Sequence, residues 1–256
     1  MRSIASSMVK SLVGRGDKND FFDRRHTDLL SSPNGKMWWH SAPLPSGQRI
    51  KGTHQDIDRQ FKMWDAAQLD RVNLNGANVL DIGANDGFFS VAAAKRGANV
   101  TAIDANWGTW PENLKYLSGQ WSVPIEIVTA DFRTYDFGKK FDVIIFFGVI
   151  YHVENVFSCM SLLKSLLSSG GSIFLESHLT NIESQAPIWE AASDLFPTSA
   201  PQGKSTVGLA GISNFLLPNA VAITSLADTY GLHCDPLLDN DYCREDRTRG
   251  IFRLHA

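Results

Sequence analysis

The chain has 256 residues, of which 43% are hydrophobic and 20% are charged, with a formal net charge of −3. This length and composition support one sizeable core with an N-terminal extension, and the acidic charge argues against wholesale neutralisation of nucleic-acid phosphates. No apolar run approaches the roughly 18 residues of a membrane span, and three cysteines without C-x-x-C spacing indicate neither a disulfide framework nor a zinc site. We therefore expect a cytoplasmic protein without a membrane anchor.

Residues 1–75 are expected to form a helical extension that contributes to the substrate site of a main domain at residues 76–256. The first sixteen residues contain Arg, Lys and Ser but no acid, which is typical of a transit peptide and equally of a short amphipathic helix. Residues 60–65, QFKMWD, are expected to be a helix that leads into the main domain.

A strand, a tight turn and a helix are predicted over residues 79–90, VLDIGANDGFFS. The apolar run before Gly83 suits a fully buried parallel strand, and residues 88–97 have the pattern of a helix. Gly83 and Gly87 free the backbone to approach a ligand at the helix N-terminus. A glycine turn of this kind also follows strands that bind no ligand, so the turn alone does not decide between the two.

Asp104 ends a second apolar run and lies twenty-three positions after Asp81. An acid at this point of a strand–helix–strand unit can accept both hydroxyls of a ribose, which favours a ligand that contains a nucleoside. A dinucleotide fingerprint requires G-x-G-x-x-G, but the second and third glycine positions counted from Gly83 hold Asn85 and Phe88. A nicotinamide or flavin site is therefore disfavoured.

Five apolar runs alternate with helical stretches, which predicts a parallel sheet with crossover helices on both faces. The runs are residues 79–82, 99–103, 125–129, 141–147 and 172–175. The later predicted helices are one with Pro111 in its first turn, one at 155–168 closed by Gly170 and Gly171, and one at 219–230 capped by Gly231. Two short strands are predicted around 232–238 and 250–255. The architecture is that of a doubly wound α/β domain.

About forty residues, 179–218, separate the fifth run from the last predicted helix and are rich in Ser, Pro, Gly and Asn. A segment of this length inside a compact domain is usually a lid or a binding element. We therefore expect a lid-like insertion at this point of the chain.

The first two motifs resemble those of the class I S-adenosylmethionine (SAM) methyltransferases, whose first motif has the form acid-x-Gly-x-x-x-Gly. Asp81, Gly83 and Gly87 match this form, and the resemblance covers about residues 76–256. It implies a Rossmann-like methyltransferase fold, with a mostly parallel, seven-stranded sheet and an antiparallel last strand. It also implies that SAM is the cofactor.

The same resemblance assigns a set of residues to the cofactor. The turn with Gly83, Ala84, Asn85 and Gly87 would wrap the methionine portion of SAM, and Asp81 would lie near its ammonium group. Asp104 would hold the ribose hydroxyls, Ala105 and Asn106 would border the adenine, Asp131 would meet the adenine amino group beside Phe132, and Phe147 would also line the site. A turn-initiating aspartate at a strand end is the alternative for Asp131.

Tyr151 and His152 directly follow the fourth apolar run, so they fall at the carboxyl end of a central strand, where open α/β sheets bind ligands. His178 reaches the same edge after the neighbouring strand, two residues beyond Glu176. Methyl transfer to an alcohol or amine also removes a proton, for which a histidine with a pKa near neutrality is a natural base. His152 is the first candidate, followed by His178 and His40; a structural role is the alternative for His152.

A second resemblance is to the wobble-uridine carboxymethyltransferase-like group and its small stand-alone relatives. It rests on GVIYH, GGSIFLES and FLLPN and on the segment MWWHSAPLPSGQRIKG, although the region before residue 60 does not match the transfer-RNA enzyme well. By this pattern Tyr151 would face the transferring group. Carboxylated SAM would need a cationic partner, with candidates Lys51, Lys62, Arg247 and Arg249. Trp38, Trp39, Trp107, Trp110 and Trp189 are candidates for an aromatic pocket, with core packing as the alternative.

The sequence thus predicts a cytoplasmic SAM-dependent methyltransferase that acts on an oxygen or nitrogen of a small-molecule metabolite. Ordinary SAM is preferred over carboxylated SAM. One alternative is an enzyme that modifies the wobble uridine of transfer RNA, with nucleic acid as its partner. Another alternative is a protein with the SAM fold that serves as a non-catalytic partner subunit.

Overall fold

The computed structural model describes residues 20–24, 28–53, 55–105, 110–191 and 216–256. Near the start of this set, three two-residue strands form a small sheet in the order β1-β3-β2. They are β1 (Leu29–Leu30), β2 (Ala42–Pro43) and β3 (Arg49–Ile50), and they are followed by helix α1 (Arg59–Ala66). Helix α1 confirms the helix expected at residues 60–65.

The expectation of a helical extension fits only part of the described region before Gly76, which holds α1, a 3₁₀ turn at Leu69–Arg71 and the three short strands. Strands β2 and β3 form because the turn between them favours a hairpin. The Leu44 N–H donates to the Gln48 carbonyl at 2.9 Å, and Gly47 takes the left-handed conformation with φ at 85°. Residues 1–19, with the candidate transit peptide, lie outside the described residues.

The main domain is built on a seven-stranded sheet in the order β11-β12-β8-β7-β4-β5-β6. In chain order the remaining strands are β4 (Asn78–Ile82), β5 (Asn99–Asp104), β6 (Ile125–Thr129), β7 (Phe141–Phe147), β8 (Leu167–His178), β9 (Trp189–Ala191), β10 (Leu216–Pro218), β11 (His233–Pro236) and β12 (Arg249–His255). The helices are α2 (Phe88–Lys95), α3 (Trp110–Gln120), α4 (Val156–Leu166), α5 (Ala220–Thr229) and α6 (Asp241–Glu245).

Strand β12 runs antiparallel to both of its neighbours, and the other adjacent pairs in this sheet are parallel. The doubly wound fold with an antiparallel last strand is therefore confirmed. The strand order reverses direction at β4, which lies between β5 and β7. In such sheets ligands bind beyond the carboxyl ends of the strands that flank this switch point.

The sheet is covered on both faces, which explains why its central strands read as continuous apolar runs. Along β7, Val143 and Ile145 belong to the cluster that contains α2 and α3 residues. Ile144 and Phe146, which point to the opposite face, belong to the cluster that contains α4 and α5 residues. None of the helices among the described residues has the length and apolarity needed to cross a membrane.

The helix expected at 155–168 ends earlier than the sequence predicts. Helix α4 ends at Leu166, and β8 begins at the next residue and continues through Gly170 and Gly171 instead of being preceded by them. Leu167 pairs with Phe141 of β7 before an irregularity in the register. Pairing with β7 thus overrides the helical tendency of the last turn, and the register irregularity that contains both glycines spans residues 168–171.

Strands β9 and β10 form an antiparallel ribbon within the expected insertion at 179–218. Residues 192–215 of that segment lie outside the described residues, so the lid remains a prediction. The polar stretch between β11 and β12 contains α6, which the sequence analysis did not predict. Tyr242 and Cys243 of this helix are buried.

Candidate active site

The glycine turn lies between the carboxyl end of β4 and the start of α2. The N–H groups of Gly83 and Ala84 donate to the Ile103 carbonyl of β5, at 2.9 and 3.3 Å. Gly83 and Gly87 have φ angles of 74° and 87°. Both glycines therefore have backbone angles that would strain any residue with a side chain. The hydrogen bonds to Ile103 attach the turn to the neighbouring strand.

Both glycines are also required by close packing. A Cβ added to Gly87 would lie 2.1 Å from Leu114 Cδ1, and one added to Gly83 would lie 2.5 Å from Val149 Cγ2. Val149 follows β7 and Leu114 belongs to α3. The turn thus fits tightly between two elements that reach it from opposite sides, and a methyl group at either glycine would displace one of them.

Asp104 lies at the end of β5, facing the turn. Its carboxylate accepts hydrogen bonds from the Asn85 N–H at 3.0 Å and from the Ala105 N–H at 2.8 Å. The Ala105 carbonyl in turn accepts a hydrogen bond from Trp110 Nε1 at 2.7 Å. The carboxylate is therefore fixed at the crevice between β4 and β5, where the sequence places the ribose. Asn106 and Trp107 lie outside the described residues.

Asp81 is buried beneath the turn, with 2% of its surface exposed. Ser90 Oγ donates a hydrogen bond to its carboxylate at 2.5 Å. Burial raises the pKa of Asp81 to about 7, the Ser90 hydrogen bond opposes this rise, and the negative charge of Asp104 adds to it. A cationic group bound at the turn would favour the ionised form of this carboxyl.

Asp86, which the sequence analysis did not single out, joins the turn to the N-terminal segment. Its carboxylate accepts hydrogen bonds from the Trp39 N–H at 2.5 Å, the His40 N–H at 2.7 Å and Asn113 Nδ2 at 2.8 Å. Burial raises the pKa of Asp86, and these hydrogen bonds oppose the rise. No sequence signal distinguished Asp86 from an ordinary turn residue, because its three donors lie 27 to 47 positions away in the chain.

Asp131 and Phe132 follow β6. Asp131 forms an ion pair with Arg133 at 2.6 Å and accepts the Arg133 N–H at 2.9 Å, as a turn-initiating aspartate does. The Arg133 guanidinium holds the pKa of Asp131 below its usual range. Phe132 packs edge-on against Phe146 at a ring-centroid distance of 5.8 Å. The contact of Asp131 with an adenine remains a prediction beside this structural role.

Phe147 ends β7 and is 7% exposed. Its ring packs edge-on against Phe89 of α2, with centroids 4.9 Å apart. This contact joins β7 to the helix that follows the glycine turn. The structure thus gives Phe147 a packing role beside the glycine turn, and its contact with SAM remains a prediction.

Tyr151, His152 and His178 come together at the carboxyl ends of β7 and β8, as the sequence predicts. The Tyr151 ring centroid lies 4.4 Å from that of His152 and 5.1 Å from that of His178. Burial, and then the positive charge of Arg249, lower the pKa of His178 to about 3, so this imidazole is neutral at physiological pH. Burial raises the pKa of Tyr151, so its phenol also stays neutral.

A buried ion pair lies beneath these three rings. Arg249 NH1 is 3.1 Å from Glu176 Oε1 and 3.3 Å from the Tyr151 hydroxyl oxygen. Tyr242 donates its hydroxyl proton to the same Glu176 oxygen at 2.7 Å, and Arg59 of α1 donates to the Tyr242 hydroxyl at 3.0 Å. The ion pair and the hydrogen bonds around it thus connect β8, β12, α6 and α1 near the carboxyl end of β8.

Other predicted residues are placed elsewhere or in packing roles. Trp38 and Trp110 are 2% and 1% exposed and belong to the core, whereas Trp39 is 41% exposed. Lys62 pairs with Glu245 at 2.5 Å on the surface. Arg249, one of the four candidate cations, contacts the cluster of Tyr151, His152 and His178 through the Tyr151 hydroxyl. Sequence reasoning missed Arg59 and Tyr242, which lie in segments without a recognisable motif.

The chain matches a known family of protein domains. Residues 55–233, about 70% of the chain, match the model of a methyltransferase domain. The matched region begins just before α1 and ends at the first residue of β11, so it contains the glycine turn, Asp104 and the cluster at the ends of β7 and β8.

Similar curated proteins include ubiquinone biosynthesis O-methyltransferases. The protein of that name from Pseudomonas aeruginosa strain UCBPP-PA14 is 35% identical over 109 residues, which are 41% of this chain and 46% of that protein. The one from Pseudomonas fluorescens strain Pf0-1 is 33% identical over 108 residues, with the same two shares. The match thus spans less than half the length of these curated relatives.

Solved structures with a similar fold include the Burkholderia thailandensis 1,6-didemethyltoxoflavin-N1-methyltransferase, which was crystallised with its substrate and S-adenosylhomocysteine. The TM-score is 0.55 at 14% identity, over 76% of this chain and 77% of that one. For coclaurine N-methyltransferase bound to N-methylheliamine and S-adenosylhomocysteine, the TM-score is 0.53 at 18% identity, over 72% of this chain and 50% of that one. For an S-adenosylmethionine-dependent methyltransferase from Mesorhizobium loti, the TM-score is 0.53 at 15% identity, over 76% of this chain and 98% of that one.

Proposed function

The chain belongs to the methyltransferase-domain family, and from this premise we propose that it transfers a methyl group from SAM to an oxygen or nitrogen of a small metabolite. The observation that carries the proposal is the tight glycine turn facing the Asp104 carboxylate at the switch point of the sheet. Asp81, Gly83, Gly87 and Asp104 are the residues that the resemblance to SAM methyltransferases assigns to the cofactor. Relatives named for O-methylation favour an oxygen acceptor.

The turn has the acid-x-Gly-x-x-x-Gly form, and its two glycines take left-handed backbone angles that leave it without side chains at Gly83 and Gly87. The N–H groups of Gly83 and Gly87 already donate to the Ile103 and Ala84 carbonyls, both at 2.9 Å, so we expect SAM to lie against the turn without using these two groups. Asp104 would hold the ribose hydroxyls, and Asp81 would balance the ammonium group of the methionine portion. When bound, SAM supplies a methyl carbon that its sulfonium makes electrophilic.

The protein has to orient the acceptor in line with that carbon and to exclude water. Tyr151, His152 and His178 lie together at the carboxyl ends of β7 and β8, and we expect them to face the acceptor. A base that works near neutral pH needs a conjugate acid whose pKa is near neutral. His178, with a pKa of about 3, does not meet this condition. We therefore assign proton removal to His152 and a neutral, positioning role to His178 and Tyr151.

Several features support a small-molecule substrate. The similar proteins are named ubiquinone biosynthesis O-methyltransferase, 1,6-didemethyltoxoflavin-N1-methyltransferase and coclaurine N-methyltransferase, all of which are names for small-molecule methylation. The acidic net charge of −3 does not favour a long contact with phosphates. We expect the N-terminal segment that is hydrogen-bonded to Asp86 to contribute to the acceptor side of the site. A cytoplasmic location is part of the same proposal.

A transfer-RNA substrate with carboxylated SAM is the second candidate. One observation favours it: the Arg249 guanidinium is 3.3 Å from the Tyr151 hydroxyl at the catalytic edge, where a carboxylate on the transferring group would lie. Against it, Arg249 is already paired with the buried Glu176 at 3.1 Å. A non-catalytic partner role is the third candidate and predicts SAM binding without turnover.

The experiment that separates the candidates is methyl transfer from radiolabelled SAM into a cell lysate split into metabolite and RNA fractions. His152→Ala is the catalytic control. Label in the metabolite fraction that falls with His152→Ala supports the proposal. Label in RNA that depends on salt supports the second candidate. Label in neither fraction, from a protein that binds SAM, supports the third.

A further inference from the structure

Three potential metal ligands meet at the outer edge of the sheet, away from the candidate active site. His233 begins β11, and its register partner on β12 is His255. Asp235 lies two positions after His233 and therefore on the same face of the strand. Among the residues that the structure describes, these side chains form a cluster whose ligand atoms all lie within 4.8 Å of one another.

The spacing within the cluster is close to that of a coordination sphere. His233 Nε2 lies 3.1 Å from Asp235 Oδ1, and His255 Nε2 lies 3.1 Å from Asp235 Oδ2. In a tetrahedral zinc site, ligand atoms about 2.0–2.1 Å from the ion lie roughly 3.3 Å from each other. The carboxylate thus already stands at ligand spacing from both imidazoles, whose ring centroids are 5.1 Å apart.

The surroundings leave the cluster accessible. The side chains of His233, Asp235 and His255 are 68%, 42% and 31% exposed, so an ion can enter from solvent and keep a water ligand. The cation directly opposite Asp235 in the register is Arg253. Its guanidinium donates instead to Ser172 Oγ, at 3.2 and 3.3 Å, on the side facing β8.

We propose that His233, Asp235 and His255 bind a divalent transition-metal ion. Zn²⁺ is the best match, because a set of two imidazoles and one carboxylate with an open fourth position is typical of zinc. The bound ion would fasten the edge strand β11 to β12. The sequence pattern did not reveal this set, because the two histidines stand twenty-two positions apart and meet only through the strand register.

The proposed ion site is separate from the candidate active site. His255 pairs with Ser172 near the start of β8, whereas Arg249 pairs with His178 at its end. These positions are six residues apart on one strand, which corresponds to about 20 Å. The ion therefore acts on the stability of the sheet edge and not on the reacting atoms.

The test is a calorimetric titration of ZnCl₂ into the untagged full chain near neutral pH. We expect saturable binding of one ion per chain. His255→Ala should weaken binding at least about tenfold, since removal of a partner that only supports a ligand already costs roughly 10–100-fold. His178→Ala, which removes a histidine at the carboxyl end of β8, is the matched control and should bind Zn²⁺ as the wild type does.

Thermal unfolding gives a second readout. At a Zn²⁺ concentration about 100 times the dissociation constant, the Tm of the wild type should rise by roughly 5–10 °C. The Tm of His255→Asn, which keeps a polar side chain at the site, should not respond to the ion. Absence of saturable binding to the wild type, or equal affinity in His255→Ala, would overturn the proposal.

Discussion

Substitution of Gly87 by alanine tests the steric account of the glycine turn. Gly87 has φ at 87°, and a Cβ there would lie 2.1 Å from Cδ1 of Leu114, a fully buried side chain. The left-handed backbone costs a non-glycine residue about 1–2 kcal/mol, and overpacking of a core adds about 1–3 kcal/mol. Gly87→Ala should therefore lower the free energy of unfolding by roughly 2–5 kcal/mol.

Gly76→Ala is the matched control for the backbone contribution. Gly76 has φ at 74°, but a Cβ there would meet no atom within 4 Å. The gain from restricting the unfolded chain, about 0.4–1 kcal/mol, applies to both substitutions and cancels in their comparison. Gly76→Ala should thus cost only the backbone contribution and leave the affinity for SAM unchanged.

Equilibrium unfolding in urea measures both variants under one protocol. We expect Gly87→Ala to be less stable than Gly76→Ala by roughly 1–3 kcal/mol and to bind SAM more weakly. Leu114→Ala should make room for the added methyl group, so the double variant should lose less stability than the sum of the two single variants. Equal stabilities of Gly87→Ala and Gly76→Ala, within about 0.5 kcal/mol, would refute the claim that Leu114 packs against the turn.

Three further substitutions test the electrostatics and the chemistry. Asp86→Ala leaves the Trp39 and His40 N–H groups without their acceptor, so it should lower the free energy of unfolding by about 1–3 kcal/mol for each group. It should also speed limited proteolysis near residue 39, and an unchanged cleavage rate would contradict the role of Asp86 in holding this segment. Because the pKa of Asp81 is raised to about 7 in the folded state, its ionisation opposes folding, and stability should fall as the pH rises from about 4 to about 7. In the wild type this fall in the free energy of unfolding amounts to up to about 1.4 kcal/mol per pH unit, and Asp81→Asn should abolish it. Urea titrations at several pH values measure it, and the same pH dependence in both proteins would argue against the raised pKa. His152→Ala should lower turnover by about 10²–10⁴-fold and spare SAM affinity, and normal turnover would remove its assignment as the base.

The fold could be predicted because its signals are local. The apolar runs of β4 and β7, buried on both faces, could be read directly from the sequence, and β7 has the predicted bounds of 141–147. The glycine turn was visible because Gly83 and Gly87 are required by the backbone itself. The predicted end of α4 was wrong because Leu167 pairs with Phe141, and that pairing depends on a strand more than twenty residues away.

The candidate site could be predicted only in part, because some of its contacts join residues that are far apart in the chain. Tyr151, His152 and His178 follow strands, so parallel pairing of β7 with β8 is enough to bring them together. Arg59 and Tyr242 reach Glu176 from α1 and α6, and only the packing of those two helices reveals it. The shift in the pKa of His178 could not be read from sequence either, since burial and Arg249 cause it.

The most direct test of the central claim is a calorimetric titration of SAM into the wild-type chain, Asp104→Ala and Asp239→Ala. Asp239 is a matched acid whose side chain is 94% exposed and pairs with Arg244. We predict that the wild type and Asp239→Ala bind SAM equally. Asp104→Ala should bind at least about tenfold more weakly, which corresponds to roughly 1.4 kcal/mol for lost hydrogen bonds to a carboxylate. A wild type that does not bind SAM, or an Asp104→Ala variant with unchanged affinity, would contradict the account.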